Sequence, residues 1–407
     1  MQTAIRHIFQ VSLSAAIVSI LYFLLLALHI PFLVIIPIVA GGVWLFIRWY
    51  NKSFPANVAD DYISKLSLFI MIVGLMYLGN KIYDVATRHG GWDAWAMWNY
   101  HARFLADGER WATVFKSTHN DHPDYPLFIP SLSAFFIRLF QGRFYAFIPF
   151  VISVFITIST ATLLYVSLAR KHIIIGAVGL YLIVNDAFFI TRGVSQYSDT
   201  LLGFFLLCAL LSKEYTDGNK YSVALTAAFL GCCIWTKNEG IVIAAVFVAF
   251  NFRYFFTRNH IRYSAAGILL PLIALLVLKV CYAPANDMVS GLHGTFYAKA
   301  FMKDRYVMIY NSLANNMDKN FHYIGIIFSI YTGLCIVRKK WFAPDLVMLL
   351  FCLFCYMWFY VFTTQDLEWH LGTSQDRLMH QLMPAVLYTL LSGFTGSASE
   401  KQTLPNQ

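Results

Sequence analysis

Apolar runs long enough to cross a lipid bilayer recur along this chain from end to end, and that feature restricts its fold more than any other. Inside a bilayer no water is present to satisfy backbone N–H and C=O groups, so only helices and closed barrels cross it. Barrel strands alternate apolar and polar residues. These runs are continuous, and the chain therefore reads as an all-α polytopic membrane protein. Composition agrees, since 59% of the 407 residues are hydrophobic and 13% are charged, against about a quarter charged in a soluble domain. The runs fall at approximately 9–28, 31–47, 62–79, 143–168, 173–190, 199–212, 221–236, 240–255, 262–281, 323–337, 343–362 and 380–396. They predict twelve transmembrane helices in one domain covering 1–407, with both termini on the same side. The first run follows Arg6 and His7 without a clear small-residue cleavage site, and is read as a retained span. Residues 127–140 are apolar but too short for a comfortable span. They are expected to form a juxtamembrane or half-inserted helix on the outer face, with a thirteen-span arrangement as the alternative.

The formal net charge of +9 does not suggest nucleic acid. In a membrane protein a basic excess first reflects the positive-inside bias, and any remainder suits anionic headgroups or phosphates. Half of the 30 Lys and Arg, among them Arg48, Lys52, Arg170, Lys171, Lys213, Arg253, Arg338, Lys339 and Lys340, crowd into short connections on one side, which marks that side as cytoplasmic. Six of the seven cysteines lie inside apolar runs, and only Cys281 lies near a loop. No disulfide framework or metal-ligand spacing is visible among them. In this topology the outer face gathers residues 80–142, 191–198, 237–239, 282–322 and 363–379, which hold nearly every unusual polar cluster. No tandem repeat is present, nor the paired halves that many transporters show.

Five of these clusters could carry chemistry. Within Gly91-Trp92-Asp93-Ala94-Trp95-Ala96-Met97-Trp98-Asn99 a carboxylate sits among tryptophans, which favour the headgroup level. On a helix Trp92, Trp95 and Asn99 share a face, so the segment reads as an amphipathic helix on the outer surface with Asp93 at its start. Asp93 is either a reacting carboxylate or a cap, since acids favour first turns. His119-Asn120-Asp121-His122-Pro123-Asp124-Tyr125-Pro126 offers two His and two Asp that could ligate a divalent cation or position a sugar; it is equally good turn chemistry. Arg192 and Asp199 flank a third cluster. An ionised group opening an apolar run is expensive unless used or paired, so Asp199 is either a second acid facing Asp93 or a helix cap with Ser198.

The fourth cluster, Thr236-Lys237-Asn238-Glu239-Gly240, reads as a tight hairpin between two spans. Lys237 is a candidate phosphate ligand, a compact charge with three donors, unless it and Glu239 simply neutralise each other. In the fifth, before the last run, Arg377 could contact a phosphate in bidentate fashion or merely snorkel. The loop 282–322, with Lys299, Lys303, Asp304, Arg305, Asp318 and Lys319 among aromatics, is either a lid over a lipid-linked substrate or an ordinary solvated loop.

In this order the clusters resemble the GT-C superfamily of integral-membrane glycosyltransferases, and most nearly the family 39-type enzymes, protein O-mannosyltransferases and lipid A aminoarabinose transferases. Trp92-Asp93-Ala94-Trp95 resembles the juxtamembrane helix bearing their catalytic Asp. His122-Pro123-Asp124-Tyr125-Pro126-Leu127 is similar to their His-Pro-Pro-Leu stretch, with insertions. Arg192 and Asp199 resemble their Arg and acidic pair. Thr236-Lys237 with Gly240 resembles their Thr-Lys-Gly hairpin, with Asn238-Glu239 inserted, and Arg377 and Pro384 look like their late Arg and Pro. The likeness covers roughly residues 75–260 well and the rest thinly. The chain departs in having two spans before the usual first one and in lacking the C-terminal soluble domain of some relatives.

The resemblance implies transfer of a sugar from a polyprenyl-phosphate donor to a lipid, glycan or protein acceptor, with inversion. Asp93 would be the general base, with Asp199 as a second catalytic acid; Lys237, Arg377, Arg192, His122, Asp124 and Glu239 would bind substrate and phosphate. An aspartate of ordinary pKa is ionised at pH 7 and available as a base. No cofactor is required; a divalent metal at His119, Asp121 and His122 is permitted. The expected location is a bacterial inner membrane, with the site facing the exterior. Two other readings are an O-antigen-type polymerase or ligase, and a transporter or flippase of lipid-linked sugars.

Overall fold

The computed structural model describes residues 2–55, 64–116, 122–215, 220–285 and 296–395. All regular structure among them is helical. The main helices are α1 (Gln2–Ala27), α2 (Phe32–Ser53), α3 (Lys65–Val85), α4 (Asn99–Asp107), α5 (Phe128–Leu139), α6 (Phe147–Lys171), α7 (Ile173–Asn185), α8 (Ala187–Val194), α9 (Ser198–Tyr215), α10 (Lys220–Thr236), α11 (Glu239–Phe250), α12 (Ile261–Val277), α13 (Lys303–Asn320), α14 (His322–Val337), α15 (Pro344–Phe362) and α16 (Leu367–Ser392).

Each of the twelve apolar runs carries a helix, but not each helix can cross a bilayer by itself. Six are long and apolar enough, namely α1, α2, α3, α6, α15 and α12 extended to Tyr282, and up to eight spans result if the bent pairs α7–α8 and α13–α14 each count as one. α10 and α11 are apolar but short, at 17 and 12 residues. α9 and α16 are long enough, yet they carry Asp199, Lys213 and Glu214, and Glu368, Asp376 and Arg377, respectively. Several of those charges build the site described below.

The core runs along α9 and α10. From Leu201 to Leu211 the apolar side chains of α9 are at most 4% exposed, as expected of a helix apolar all round. α2 and α3 instead turn Leu33, Trp44, Leu45, Phe69 and Met76 outward, a surface suited to lipid. α5 is packed among other helices, with nine of its 12 residues buried and Ser19 of α1 donating to the Phe128 carbonyl at 2.9 Å. The basic ends expected on the cytoplasmic side pair with acids, Lys171 with Glu214 and Lys213 with Asp345, both at 2.7 Å. Asp199 and Lys237 lie at the opposite end, Asp199 in the first turn of α9 and Lys237 just beyond α10.

Candidate active site

The connection after α3 is stitched to the turn before α9. Gly91 N–H donates to the Ser195 carbonyl at 3.0 Å, Gln196 Nε2 donates to the Arg88 carbonyl at 3.1 Å, and Asn99 Nδ2 donates to Gln196 Oε1 at 2.8 Å. Gly90 sits at φ +70°, where a Cβ would lie 2.6 Å from the Ser195 carbonyl oxygen; both the turn and the close approach require glycine. A π-helical turn, Ala94–Trp98, follows Asp93 at once and leads into α4. Such turns concentrate at functional sites. They re-aim side chains, and here Trp92 and Trp95 face outward while Trp98 is buried. The Asp93 side chain does not cap the turn. Its Oδ2 accepts from Arg377 Nη2 at 2.7 Å.

From that contact a chain of alternating charges crosses the site. Arg377 Nε donates to Asp199 Oδ2 at 3.1 Å, Lys237 Nζ donates to Asp199 Oδ1 at 2.9 Å, and Lys237 Nζ lies 3.0 Å from Glu239 Oε1. Four separate elements supply the five groups: the strap before α4, α16, the start of α9 and the α10–α11 hairpin. The two ends are open, with the Asp93 and Glu239 side chains each 21% exposed, while Asp199 in the middle is fully buried and Lys237 nearly so. Asp199 also accepts from Gln381 Nε2 at 2.6 Å. Its oxygens are filled by three donors, Lys237, Arg377 and Gln381. Asp199 therefore seats Lys237 and Arg377, and the Arg377 guanidinium bridges it to Asp93. Glu239 Oε2 is buried and has no hydrogen-bond partner among the described residues.

A second layer braces the first. Arg192 pairs with Asp376 at 3.1 Å, and Arg192 and Arg377 both lie over the Tyr197 ring, 5.7 and 5.1 Å from its centroid. Tyr125 stacks on His122 at 4.9 Å and nears Trp98 at 5.9 Å, with Lys237 Nζ 5.6 Å above its ring. Asp124 Oδ2 accepts from Asn238 Nδ2 at 2.8 Å and from Lys279 Nζ at 3.2 Å, and Lys279 also reaches Asn238 Oδ1 at 2.9 Å. Lys279 is carried on a second π-helical turn, Leu278–Tyr282.

Asp93, Asp199, Lys237, Glu239 and Arg377 thus meet directly, Arg192 joins through Asp376 and Tyr197, and His122 and Asp124 join through Tyr125 and Asn238. His119 and Asp121, two of the three residues of the permitted metal site, lie outside the described residues. No group of three metal-ligating side chains occurs among the described ones. Sequence reasoning missed Lys279, Gln381, Asn238, Tyr125 and Tyr197. Lys279 left a signal, a lone cation at the end of an apolar run, and such residues mark function or pairing by default.

The hairpin is tight enough to explain Gly240. A Cβ there would lie 1.9 Å from the Cys233 carbonyl oxygen, so Gly240→Ala must push α10 and α11 apart and with them Lys237 and Glu239. We expect a loss of at least about 1–3 kcal/mol, the scale of overpacking, read as a lowered unfolding temperature in detergent. An unchanged temperature would mean that the hairpin relaxes freely.

An apolar cavity of about 230 Å³ lies between α14, α15 and α16. Its lining includes Met379, two residues beyond Arg377, and Leu353, one turn before Tyr356, whose hydroxyl donates to Gln381 Oε1 at 3.0 Å. No family model matches the chain, and neither a curated protein nor a solved structure shows significant similarity to it.

Proposed function

We propose that the protein is an inverting membrane glycosyltransferase of GT-C type, moving a sugar from a polyprenyl-phosphate donor to a lipid, glycan or protein acceptor. The observation that carries this reading is the line of charges from Asp93 to Glu239, with two cations between three carboxylates at one end of a helical bundle. In this reading all twelve apolar helices contribute spans, and the charged end faces the exterior of a bacterial plasma membrane. The family likeness of the motifs and their order along the chain agree with it.

The chemistry divides between the open and the buried parts of the line. The acceptor hydroxyl attacks the anomeric carbon as the bond to the lipid phosphate breaks, and the bonding pair leaves on the phosphate oxygen. The acceptor's proton passes to the Asp93 carboxylate, a general base. The phosphate gains charge as it departs, and fixed cations stabilise that charge more than they stabilise the ground state. Arg377 is the first of these and Lys237 the second, with Arg192 behind them. In the resting protein Asp93 occupies Arg377 Nη2; an arriving phosphate takes over that donor and releases the carboxylate to meet the acceptor. Asp199 keeps both cations in place throughout. The apolar cavity beside Met379 and Leu353 offers room for part of the isoprenoid tail.

Purified protein incubated in liposomes with polyprenyl-phosphate sugars and candidate acceptors should give a glycosylated product by mass spectrometry. Arg377→Ala and Lys237→Ala should each lower turnover by about 10²–10³-fold, the cost of losing a charge-stabilising donor. Parental turnover in both variants would move the phosphate site elsewhere. A second reading, carriage of lipid-linked sugars, draws on the two broken helix pairs, bent by 64° and 98°, a device of transporters. Movement of labelled substrate across the bilayer without covalent transfer would favour it over the enzyme.

A further inference from the structure

The two breaks in the helices face each other. α7 turns into α8 at Asp186, and α13 turns into α14 at Phe321; a cavity of about 330 Å³ lies between them, away from the line of charges. Its wall mixes Leu182, Ala187 and Phe188 with Tyr181, Asn185, Lys319, Asn320, His322 and Tyr323. Phe188 and Phe321 meet edge to face at 5.5 Å and close its apolar side.

The one acid in the wall is already occupied. Asp186 Oδ2 accepts from the Tyr323 hydroxyl at 2.5 Å, and Oδ1 accepts from the Phe189 amide at 2.8 Å, capping α8. Two basic side chains are left to meet a ligand. Lys319 and His322 are exposed, and neither has a hydrogen bond or ion pair to another described residue. The first amides of α14 lie beside them, where Phe321 provides no side-chain cap. A cavity with donors on one wall and Leu182, Ala187 and Phe188 on the other fits an anion attached to something apolar. Its depth agrees, because α7 and α14 end there as apolar helices, and tyrosines at such ends sit at the headgroup level.

We propose that this cavity binds the phosphodiester headgroup of a bilayer lipid, with Lys319 and His322 on the phosphate and the glycerol against Leu182 and Phe188. Charge-assisted bonds to phosphate oxygens are the strong ones, and basic pockets between membrane helices hold anionic headgroups. Such a lipid pins two broken helices at one level. It also steadies α8, whose Arg192 reaches Asp376 in the neighbouring site. The inference does not depend on glycosyl transfer, since no residue of the cavity belongs to the line of charges.

The test uses the full-length protein in nanodiscs containing both phosphatidylglycerol and phosphatidylcholine, followed by release and native mass spectrometry. The expected result is selective retention of phosphatidylglycerol. Retention should weaken by about tenfold in the double variant Lys319→Ala/His322→Ala, the equivalent of one charge-assisted contact, and persist in Lys319→Arg. Both residues are exposed, so the variants should elute and unfold as the parent does. Equal retention of the two lipids would overturn the proposal, as would undiminished retention in the double variant. Displacement of phosphatidylglycerol by millimolar inorganic phosphate would overturn the lipid source and assign the site to a free anion.

Discussion

Asp93→Asn is expected to lower sugar transfer by about 10²–10⁴-fold, the usual contribution of a positioned general base, while leaving the fold intact. The amide keeps the shape of the carboxylate and can still accept from Arg377, but it cannot take up the acceptor's proton. Stability should barely change. The pair sits at the edge of the line of charges, with side chains 21% and 15% exposed, and the amide oxygen of asparagine retains the hydrogen bond from Arg377. Arg377 also keeps its second partner, Asp199, at 3.1 Å. Donor affinity should hold or rise, because Arg377 loses a competing charge. The check is a single-turnover assay on protein whose elution and unfolding temperature match those of the parent. Turnover near normal would remove Asp93 from the chemistry.

Asp199→Ala is expected to show the reverse pattern, with a stability loss of about 3–5 kcal/mol, the cost of leaving buried charges without a partner. Asp199 is fully buried between Lys237 and Arg377 and also holds Gln381. Removing it leaves two cations close together in a poorly solvated place, with Asp93 and Glu239 on their outer sides only. The unfolding temperature in detergent should fall clearly, and activity should be lost with it. Asp199→Asn separates charge from shape, since it retains hydrogen-bonding capacity and lacks only the negative charge. A double variant, Asp199→Asn with Lys237→Met, should recover part of the stability, because the two sites are coupled. If Asp199→Ala unfolds at the parent temperature, the inner carboxylate does not hold the cations.

The helices were legible because each apolar run is both a length and a boundary, and the structure has a helix in every one. Where the reading missed, the missing information was neighbourhood. Residues 127–140 are too short for a comfortable span, and nothing in them reveals that α1 and α4 pack against them or that Ser19 donates to the Phe128 carbonyl. How many of these helices are spans turns on a related point, since six qualify by length and composition alone and up to eight if each bent pair counts as one. α9 and α16 are apolar over most of their length, and the charges that interrupt them can be sited only once Asp199 is seen against Arg377. In the site, residue types and order were readable and partners were not. Asp93 and Arg377 lie at opposite ends of the chain, and no local pattern joins them. Asp199, read as a second acid facing Asp93 or a helix cap, gave no sign in its own segment that Arg377 would stand between the two acids. Lys279 was passed over as the tail of a span, although it holds Asp124 to Asn238.

Three carboxylates and two cations make an odd row. With the Arg192–Asp376 and Lys279–Asp124 pairs neutral beside it, the row carries one excess negative charge when all its members are ionised. Each further negative charge on an incoming headgroup adds to that repulsion in a region of low dielectric. Under the proposed function, a donor whose sugar hangs from a single phosphate would be easier to seat than one that carries a diphosphate, and the parity of the row would act as a filter on the donor's linkage.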